Sequence, residues 1–288
     1  MAQLLYGKPV ADALTADTRR RAESLRDKGV MPKLVILRCG ENEADGAYIR
    51  GAMKRGGLCG VDVELRTLAA DVSADALAQE LEAVNGDSAV HGCLLLRPLP
   101  GQLKRAESGL CALLDPRKDV DGMTPASAAG VFTDSGEGFP PCTAQACMAL
   151  LDHYHIDCAG KSAAVIGRSA VVGRPAAMLL LARNATVTVC HTKTRDTAAV
   201  TRQAGIIVTA AGAAGSLTAD HVRPGQVVVD VSTNWNGTGL CGDADFDAVA
   251  EMVEAITPVP GGVGAVTSAV LMAHTVRAAE KLTGEGGL

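Results

Sequence analysis

The sequence predicts an α/β protein of two domains, each a parallel sheet with helices packed on its faces. Short apolar segments alternate with amphipathic helical segments along nearly the whole chain, and this alternation is typical of parallel sheets. Hydrophobic residues make up 48% of the 288 residues, but aromatic residues only 2%. The core must therefore be aliphatic, which favours helices on a parallel sheet over an aromatic-rich barrel or sandwich.

The first domain is predicted to cover residues 1–138. Helical and strand-like segments alternate within it, at residues 10–28, 33–39, 47–56, 61–68, 73–84 and 92–96. Gly56-Gly57 is expected to end the second helix and Ser73 to cap the third. Residues 134–140 are rich in turn-forming residues and are the best candidate for a linker.

The second domain is predicted to cover residues 139–265, where the alternation of strands and helices begins again. Its predicted elements lie at residues 143–154, 162–166, 175–183, 186–190, 206–210 and 226–231. A last helix, predicted within residues 266–288, has an apolar stripe.

Charge and cysteine content exclude several classes of partner. The net charge is −5 and the pI about 5.7, whereas a nucleic-acid-binding protein needs a basic face. No apolar segment is long enough to span a bilayer, and neither a membrane nor a nucleic acid is expected as a partner. The nine cysteines are odd in number and contain no C-x-x-C pair, so reduced thiols in the cytoplasm are expected. His153 and His155 lack convergent ligands, and no metal site is predicted.

The clearest functional signal runs from Ala163 to Ala182, as a strand, a glycine turn and a helix. Gly167 permits a tight turn, and Gly173 permits the helix to pack close to the strand. The start of the helix, with Pro175 in its first turn, is expected to offer free N–H groups to a phosphate. Ser169 replaces the middle glycine of the usual G-x-G-x-x-G pattern, and a plain structural turn remains an alternative. The position between an apolar strand and an apolar helix favours a Rossmann-like, doubly wound dinucleotide-binding domain.

The end of the next strand indicates which dinucleotide binds. NAD sites place a carboxylate there to bind the ribose 2′-hydroxyl. Here the strand is followed by the residues HTKTR at 191–195, and the first carboxylate, Asp196, comes several residues late. Arg168 adds another cation. These groups suit a 2′-phosphate, so the sequence favours NADP, with an ordinary exposed polar turn as the alternative.

Several stretches together resemble the bifunctional methylenetetrahydrofolate dehydrogenase/methenyltetrahydrofolate cyclohydrolase family. In the second half they are Pro141-Cys142-Thr143, VIGRSAVVGRP from Val165, ATVTVCHTKT from Ala185, Gly242-Asp243, and PVPGGVG from Pro258. In the first half they are Tyr48, Pro98-Leu99-Pro100, and KDVDG from Lys118. The resemblance follows the chain in order over nearly its whole length.

The resemblance implies a homodimer of one-carbon metabolism that binds a tetrahydrofolate derivative between its domains and NADP along the second domain. Such enzymes oxidise 5,10-methylene- to 5,10-methenyltetrahydrofolate and then hydrolyse it to 10-formyltetrahydrofolate. The last helix would fold back onto the first domain. The implied catalytic residues are Tyr48 and Asp121, which also bind substrate together with Pro260, Gly261 and Gly262. The cofactor-binding candidates are Gly167, Arg168, Ser169, Gly173, His191, Thr192 and Thr233.

The sequence departs from the family where hydrolysis is carried out. The family pattern places its catalytic lysine at Ala52 and the glutamine that partners it at Leu96, and a leucine of the family is Arg97 here. On a helix, Ala52 lies about 40° from Tyr48 but Lys54 lies about 240° from it, so Lys54 is no substitute. Hydride transfer needs well-placed partners, whereas hydrolysis needs proton transfer that contributes roughly 10²–10⁴-fold. We therefore expect a dehydrogenase whose cyclohydrolase activity is weak or lost.

Two other classes of function remain open on the sequence alone. The loss of polar groups at positions 52 and 96 is also compatible with a non-catalytic relative that binds NADP or a folate. A dehydrogenase for a different substrate, with a remodelled cleft in the same frame, is the second alternative.

Overall fold

The structure, a computed structural model, describes residues 1–284 apart from the side chains of residues 43 and 44. The chain forms two compact units, each built from two segments. One unit combines Met1–Ala11 with Thr143–Thr267, and the other combines Asp12–Cys142 with the chain from Ser268 onward. The predicted boundary between the domains, after residue 138, lies four residues before the boundary in the structure. The prediction also placed the first eleven residues in the first domain, whereas the structure groups them with residues 143–267.

The elements before residue 142 mostly build a three-stranded sheet. In chain order they are β1 (Gln3–Leu4), α1 (Gly7–Asp27), β2 (Lys33–Cys39), α2 (Glu43–Cys59), β3 (Asp62–Leu68), α3 (Ala74–Gly86), β4 (Gly92–Leu95), α4 (Glu107–Cys111) and α5 (Pro125–Thr133). The order β3-β2-β4 is parallel throughout. Residues 34–37 of β2, at the centre of this sheet, are fully buried aliphatic side chains. The unit containing this sheet is called the three-stranded unit below.

The second helix does not end at the glycine pair, so that prediction is wrong. α2 continues to Cys59. A Cβ built on Gly56 would lie 2.4 Å from Cγ2 of Val63. The missing side chain therefore lets α2 lie directly against β3, and the packing gained there outweighs the low helix propensity of glycine. Ser73 caps α3 as predicted, because its Oγ accepts a hydrogen bond from the Ala76 N–H at 3.1 Å.

The remaining elements mostly build a six-stranded parallel sheet. They are α6 (Cys142–His153), β5 (Ser162–Ile166), α7 (Gly173–Ala182), β6 (Thr186–Cys190), α8 (Thr197–Gln203), β7 (Ile206–Thr209), β8 (Val227–Asp230), β9 (Asn234–Trp235), β10 (Leu240–Cys241), α9 (Phe246–Ala250), β11 (Ala255–Ile256) and α10 (Thr267–Thr283). The strand order is β1-β11-β8-β7-β5-β6, which confirms the predicted doubly wound sheet. β1 pairs with β11, and this pairing is why the first residues belong to this unit, called the six-stranded unit below.

The position of β5 in the sheet locates the ligand-binding crevice. β6 lies on one side of β5 and β7 on the other, so the chain winds in opposite directions from this strand. Open α/β sheets bind ligands outside the carboxyl ends of their strands at such a reversal. The turn after β5 and the loops after β6 and β7 are therefore the expected walls of a site.

Most of helix α10 belongs to the three-stranded unit, as the resemblance implied for the last helix. Arg21 of α1 donates two hydrogen bonds to the Glu280 carboxylate of α10, at 2.9 and 2.5 Å. Within residues 1–284, no helix combines the length and the apolar composition needed to cross a bilayer. The same residues contain no group of three histidine, cysteine or acidic side chains that could hold a metal ion.

Candidate active site

Two glycines shape the turn between β5 and α7. Gly167 has a φ of 115°, and a Cβ built on it would lie 2.2 Å from the Ala210 carbonyl oxygen. A Cβ built on Gly173 would lie 2.2 Å from the carbonyl oxygen of Gly167. Both obstacles are backbone atoms, which cannot turn aside as a flexible side chain can. The structure thus shows the tight turn and the close packing predicted for these two glycines.

Ser169 closes the same turn with its own hydrogen bonds. Its Oγ accepts from the N–H groups of Val172 at 3.1 Å and Gly173 at 3.3 Å, and its carbonyl oxygen accepts from Arg174 at 3.0 Å. The expectation of free N–H groups at the start of the helix is therefore wrong for these residues. Within the described chain, the N–H groups of residues 168–171 make no hydrogen bond. The donors available to an anion belong to the turn rather than to the helix.

A cavity of about 390 Å³ opens at the carboxyl ends of β5, β6 and β7. It brings together five of the predicted cofactor-binding residues: Gly167, Arg168, Ser169, His191 and Thr192. Gly173 supports the turn without lining the cavity, and Thr233 lines a different one. Ser216 and His221 also line the cavity and were missed, because no local pattern marks the loop after β7. Their only signal was the position of that loop beside the glycine turn.

The lining of this cavity suits a polar, negatively charged ligand. It contains Arg168 and, within the described chain, no acidic residue. Asp196, the first carboxylate after β6, is engaged as the cap of α8, since its Oδ1 accepts from the Ala199 N–H at 2.8 Å. The Oγ of Ser216 is buried without a hydrogen-bond partner among the described residues. A buried hydroxyl is costly unless it is bonded, so a ligand that reaches it would be stabilised.

A second cavity, of about 260 Å³, lies in the same unit. It groups Thr233 with the predicted substrate-binding residues Pro260, Gly261 and Gly262. Asp230 also lines this cavity, and burial raises the pKa of its carboxyl group to about 6, although N–H groups that donate to it act in the opposite direction. The sequence analysis did not single out Asp230, because the last residue of an apolar strand gives no signal of its chemical environment.

Asp243 holds the loops that adjoin both cavities. It is fully buried, and its carboxylate accepts six hydrogen bonds of 2.6–3.3 Å, from the N–H groups of Ala211, Gly212 and Ala213, the hydroxyl groups of Thr209 and Ser232, and the amide of Asn234. A carboxylate with all its acceptor capacity occupied positions its surroundings and has no capacity left to bind a ligand.

Tyr48 and Asp121 interact electrostatically in the three-stranded unit. Burial raises the pKa of the Tyr48 hydroxyl above its usual range, and the nearby Cys142 and Asp121 groups raise it further. Burial also raises the pKa of Asp121 to about 6, against the opposing effects of the nearby polar groups of Cys142 and the positive charge of Arg97. Asp121 is therefore mainly a carboxylate at neutral pH, but a fall in pH of one or two units protonates it.

The residues just before Asp121 anchor its segment. Asp119 accepts hydrogen bonds from the N–H groups of Met123 and Thr124 at 2.9 and 2.8 Å, and from the Ser127 hydroxyl at 2.6 Å. The Nζ of Lys118 donates to three carbonyl oxygens at the end of α3, those of Val84, Asn85 and Asp87, at 2.9, 3.0 and 2.7 Å. These two charged side chains are therefore structural, and Asp121 alone of this group is left for chemistry.

A buried histidine on α10 supports the same segment. The Nδ1 of His274 lies 2.9 Å from the carbonyl oxygen of Val120, and the Cys142 thiol donates to that oxygen at 3.3 Å. Burial lowers the pKa of His274 to about 4, so the ring is neutral at neutral pH and donates from Nδ1. The sequence showed no partner for this mid-helix histidine, because the partner lies more than one hundred and fifty residues earlier.

Comparison with known proteins shows that both halves of the chain match one family. Residues 5–121 match the profile of the tetrahydrofolate dehydrogenase/cyclohydrolase catalytic domain, and residues 141–283 match that of the NAD(P)-binding domain of the same family. The chain belongs to the tetrahydrofolate dehydrogenase/cyclohydrolase family.

Relatives and solved structures agree with this assignment over the full length. The bifunctional protein FolD of Carboxydothermus hydrogenoformans is 45% identical over 287 residues, which cover 99% of each chain. The bifunctional FolD of Campylobacter jejuni has a TM-score of 0.93 at 36% identity, over 98% of this chain and 99% of its own. The FolD of Trypanosoma brucei, solved with NADP cofactor and inhibitor, has a TM-score of 0.89 at 31% identity, over 97% and 98% of the two chains.

Position 52, where the resemblance places a lysine, lies on the helix that carries Tyr48 and has an apolar side chain. Ala52 is fully buried, and Lys54 is exposed. Arg55 donates to the Thr15 hydroxyl at 2.9 Å. Leu96 continues the sheet beyond β4, with its N–H bonded to the Leu37 carbonyl oxygen at 2.9 Å. Positions 52 and 96 thus present only apolar side chains.

Proposed function

We propose that this protein is an NADP-dependent 5,10-methylenetetrahydrofolate dehydrogenase of one-carbon metabolism with weak or no cyclohydrolase activity. The observation that carries the proposal is the glycine turn of Gly167 and Gly173 in a chain of this family, built against a cavity that is lined by Arg168 and, among the described residues, by no acidic side chain. The full-length match to bifunctional enzymes favours an enzyme over a binding protein or a dehydrogenase for another substrate.

The proposed NADP site uses the cation-lined cavity. The turn N–H groups would hold the pyrophosphate, Arg168 together with His191 and Thr192 would adjoin the ribose 2′-phosphate, and the unbonded Ser216 hydroxyl fits a polar ligand. Gly173 supports the turn, and Thr233 is proposed at the nicotinamide end of the cofactor. When bound, NADP accepts the hydride removed from the bridging carbon of the substrate.

The proposed contribution of the protein to oxidation is orientation and charge. Asp121 and Tyr48 are proposed to contact the folate, and Pro260, Gly261 and Gly262 to bind substrate within the six-stranded unit. The Asp121 carboxylate would orient the ring and stabilise the cationic methenyl product by its negative charge. Neither role requires a proton to be moved, so neither requires the lysine that the family places at position 52.

Hydrolysis of the methenyl product makes a different demand. Water must be activated and a proton must be transferred, which needs a group that titrates near neutral pH. Ala52 and Leu96 cannot supply it, Lys54 is exposed, and the guanidinium of Arg55 does not lose its proton in proteins. We therefore propose that the second activity is weak or lost.

One steady-state experiment tests both halves of the proposal. Reduction of NADP with methylenetetrahydrofolate should be readily measured, with NAD a poorer cofactor, while methenyltetrahydrofolate should hydrolyse at close to its uncatalysed rate. Ala52→Lys combined with Leu96→Gln should raise hydrolysis, and Lys54→Ala is the matched control that should change nothing. Ordinary hydrolytic turnover by the unmodified protein would refute the proposed loss, and failure to reduce either nucleotide would refute the dehydrogenase.

We further propose a homodimer acting in the cytoplasm. The dimer is the state implied by the resemblance, and sedimentation at several protein concentrations tests it. All nine cysteines are free thiols, and free thiols fit a reducing compartment. No role with nucleic acid or membranes is proposed.

A further inference from the structure

Arg97 is a half-buried arginine without a hydrogen bond or ion pair to any described residue. It lies two residues after the end of β4 and precedes Pro98. A guanidinium group carries five N–H donors and no acceptor, and when it is partly removed from water it is normally bonded. The N–H donors of Arg97 are therefore available to a ligand. By contrast, the charged groups of Lys118 and Asp119 are hydrogen-bonded within the protein.

Pairing between β4 and the segment that carries Asp121 brings Arg97 and Asp121 to the same end of the sheet. The segment that carries Asp121 runs parallel to β4, with Cys93 opposite Asp119 and the Cys93 N–H bonded to the Lys118 carbonyl oxygen at 2.7 Å. Asp121 follows Asp119 by two residues, in a turn in which the Gly122 N–H donates to the Asp119 carbonyl oxygen at 3.2 Å. Arg97 lies two residues beyond Leu95, the last residue of β4, so both residues lie near the carboxyl end of that strand.

The charge of Arg97 acts directly on Asp121. It is one of the influences that lower the pKa of the Asp121 carboxyl group against the effect of burial. The other groups that face this carboxylate are the thiol and N–H of Cys142, the Asp119 carboxylate and the Tyr48 hydroxyl. Arg97 is the cation of this set, and the apolar side chains of Ala52 and Leu96 can provide no donor. The site therefore presents one strong acceptor next to one strong donor.

We propose that Arg97 and Asp121 together bind the amide edge of the pterin ring, and that Arg97 donates to its 4-oxo oxygen. This inference rests on the proposed function, because it identifies the substrate as a folate. The 2-amino-4-oxo edge of a pterin presents two N–H donors beside one carbonyl acceptor. An ionised carboxylate only accepts and a guanidinium only donates, so the pair matches this edge. Arg97 is thus a residue for binding and specificity. It supplies a positive charge to the site but cannot act as a base.

Binding of two matched ligands tests the assignment. The probes are tetrahydrofolate and tetrahydroaminopterin, in which an amino group replaces the 4-oxo oxygen, and both dissociation constants are measured by titration calorimetry. Arg97→Leu should weaken tetrahydrofolate roughly 10- to 100-fold, because a charge-assisted hydrogen bond is lost. The 4-amino ligand should lose less than about 3-fold, since it offers Arg97 no acceptor. Arg97→Lys should fall between, because it keeps the charge but loses the planar fork.

Controls separate a local effect from misfolding. Arg105→Leu removes an exposed arginine a few residues further along and should change neither constant. NADP affinity, carried by the six-stranded unit, should be unchanged in every variant. Should Arg97→Leu fail to fold, Arg97→Gln and Arg97→Lys carry the same comparison. An equal loss for both ligands, or no loss for either, would overturn the inference.

A pH profile gives a second, independent readout. Loss of the neighbouring positive charge should move the acid limb of kcat/KM for methylenetetrahydrofolate to higher pH in Arg97→Leu, because Asp121 then holds its proton to higher pH. An unmoved limb in an active variant would contradict the placement of Arg97 beside Asp121. If the unmodified protein binds tetrahydrofolate in an Arg97-dependent way but reduces no NADP, the proposed function fails and this inference stands.

Discussion

Asp121→Asn is expected to make the protein more stable while it removes activity. Burial raises the pKa of this carboxyl group from 3.8 to about 6, so the folded state binds the proton more tightly than the unfolded state. The sign follows from linkage. As pH rises from about 4 to about 6, the unfolded chain loses its proton first, and the free energy of unfolding falls until both states are ionised. Asparagine carries no charge and avoids this loss.

The magnitude follows from the two pKa values. A shift of about two units corresponds to about 3 kcal/mol when the group is fully ionised in both states. With the same values, the cost is about 1.6 kcal/mol at pH 5 and about 2.9 kcal/mol at pH 7. The asparagine variant should therefore gain about 1.3 kcal/mol on the wild type between pH 5 and pH 7. Because part of the side chain reaches solvent, this figure is an upper bound.

The assay is urea unfolding followed by circular dichroism at half-unit steps from pH 5 to pH 8. Glu82→Gln, which removes an exposed carboxylate from α3, is the control and should show a pH-independent difference from the wild type. Asp121→Asn should also lose dehydrogenase activity under all these conditions. If the stability difference between the variant and the wild type is constant with pH, or shrinks as pH rises, burial does not raise the pKa of the Asp121 carboxyl group.

Three further predictions concern other parts of the molecule. Gly173→Ala should weaken NADP binding by at least about 10-fold in titration calorimetry. The reason is that the new Cβ would lie 2.2 Å from the Gly167 carbonyl oxygen, so the turn must open. Unchanged affinity would contradict the geometry of the turn. Arg168→Gln should raise KM for NADP roughly 10- to 100-fold and leave KM for NAD nearly unchanged, and a parallel rise for both cofactors would exclude Arg168 from the 2′-phosphate. Lys118→Met should lower the free energy of unfolding by about 2–4 kcal/mol, because three carbonyl oxygens at the end of α3 lose their donor; a chemical-denaturation midpoint equal to that of the wild type would refute the capping role.

Local pattern was enough to predict the longer elements. β2, β5 and β6 have the predicted bounds, because a buried parallel strand needs an uninterrupted apolar run and little else. The two-residue strands β1, β9, β10 and β11 were missed, since a pattern of two residues has no measurable period. The prediction at Gly56 was wrong because this glycine permits close packing against Val63, a contact that the local sequence does not reveal.

The residues of the candidate site also fall into two groups, those that the local sequence predicts and those whose environment it does not reveal. The glycine turn, Arg168, His191 and Thr192 were predicted as candidates from residues that are adjacent in sequence, because a glycine turn between a strand and a helix is a local structure. Ser169, expected to act toward the cofactor, also serves the turn itself by bonding the N–H groups of Val172 and Gly173. The environments of Asp121, Asp230 and Arg97 could not be foreseen, since a pKa or an unbonded guanidinium depends on atoms from distant segments.

The sequence by itself determined the α/β class, the doubly wound nucleotide-binding sheet and the family, because these follow from periodicity, glycine placement and long motifs. It also determined what position 52 lacks, since the absence of a lysine is a covalent fact. Only the tertiary structure decided which charged residues are engaged in the fold and which remain available. Lys118 and Asp119 are held by carbonyl and N–H partners, whereas Arg97 has no hydrogen bond or ion pair among the described residues and its charge acts on Asp121 from a different segment. The physical reason is that burial and electrostatic interaction depend on distance in space, and neighbours in space are set by how the sheets pair.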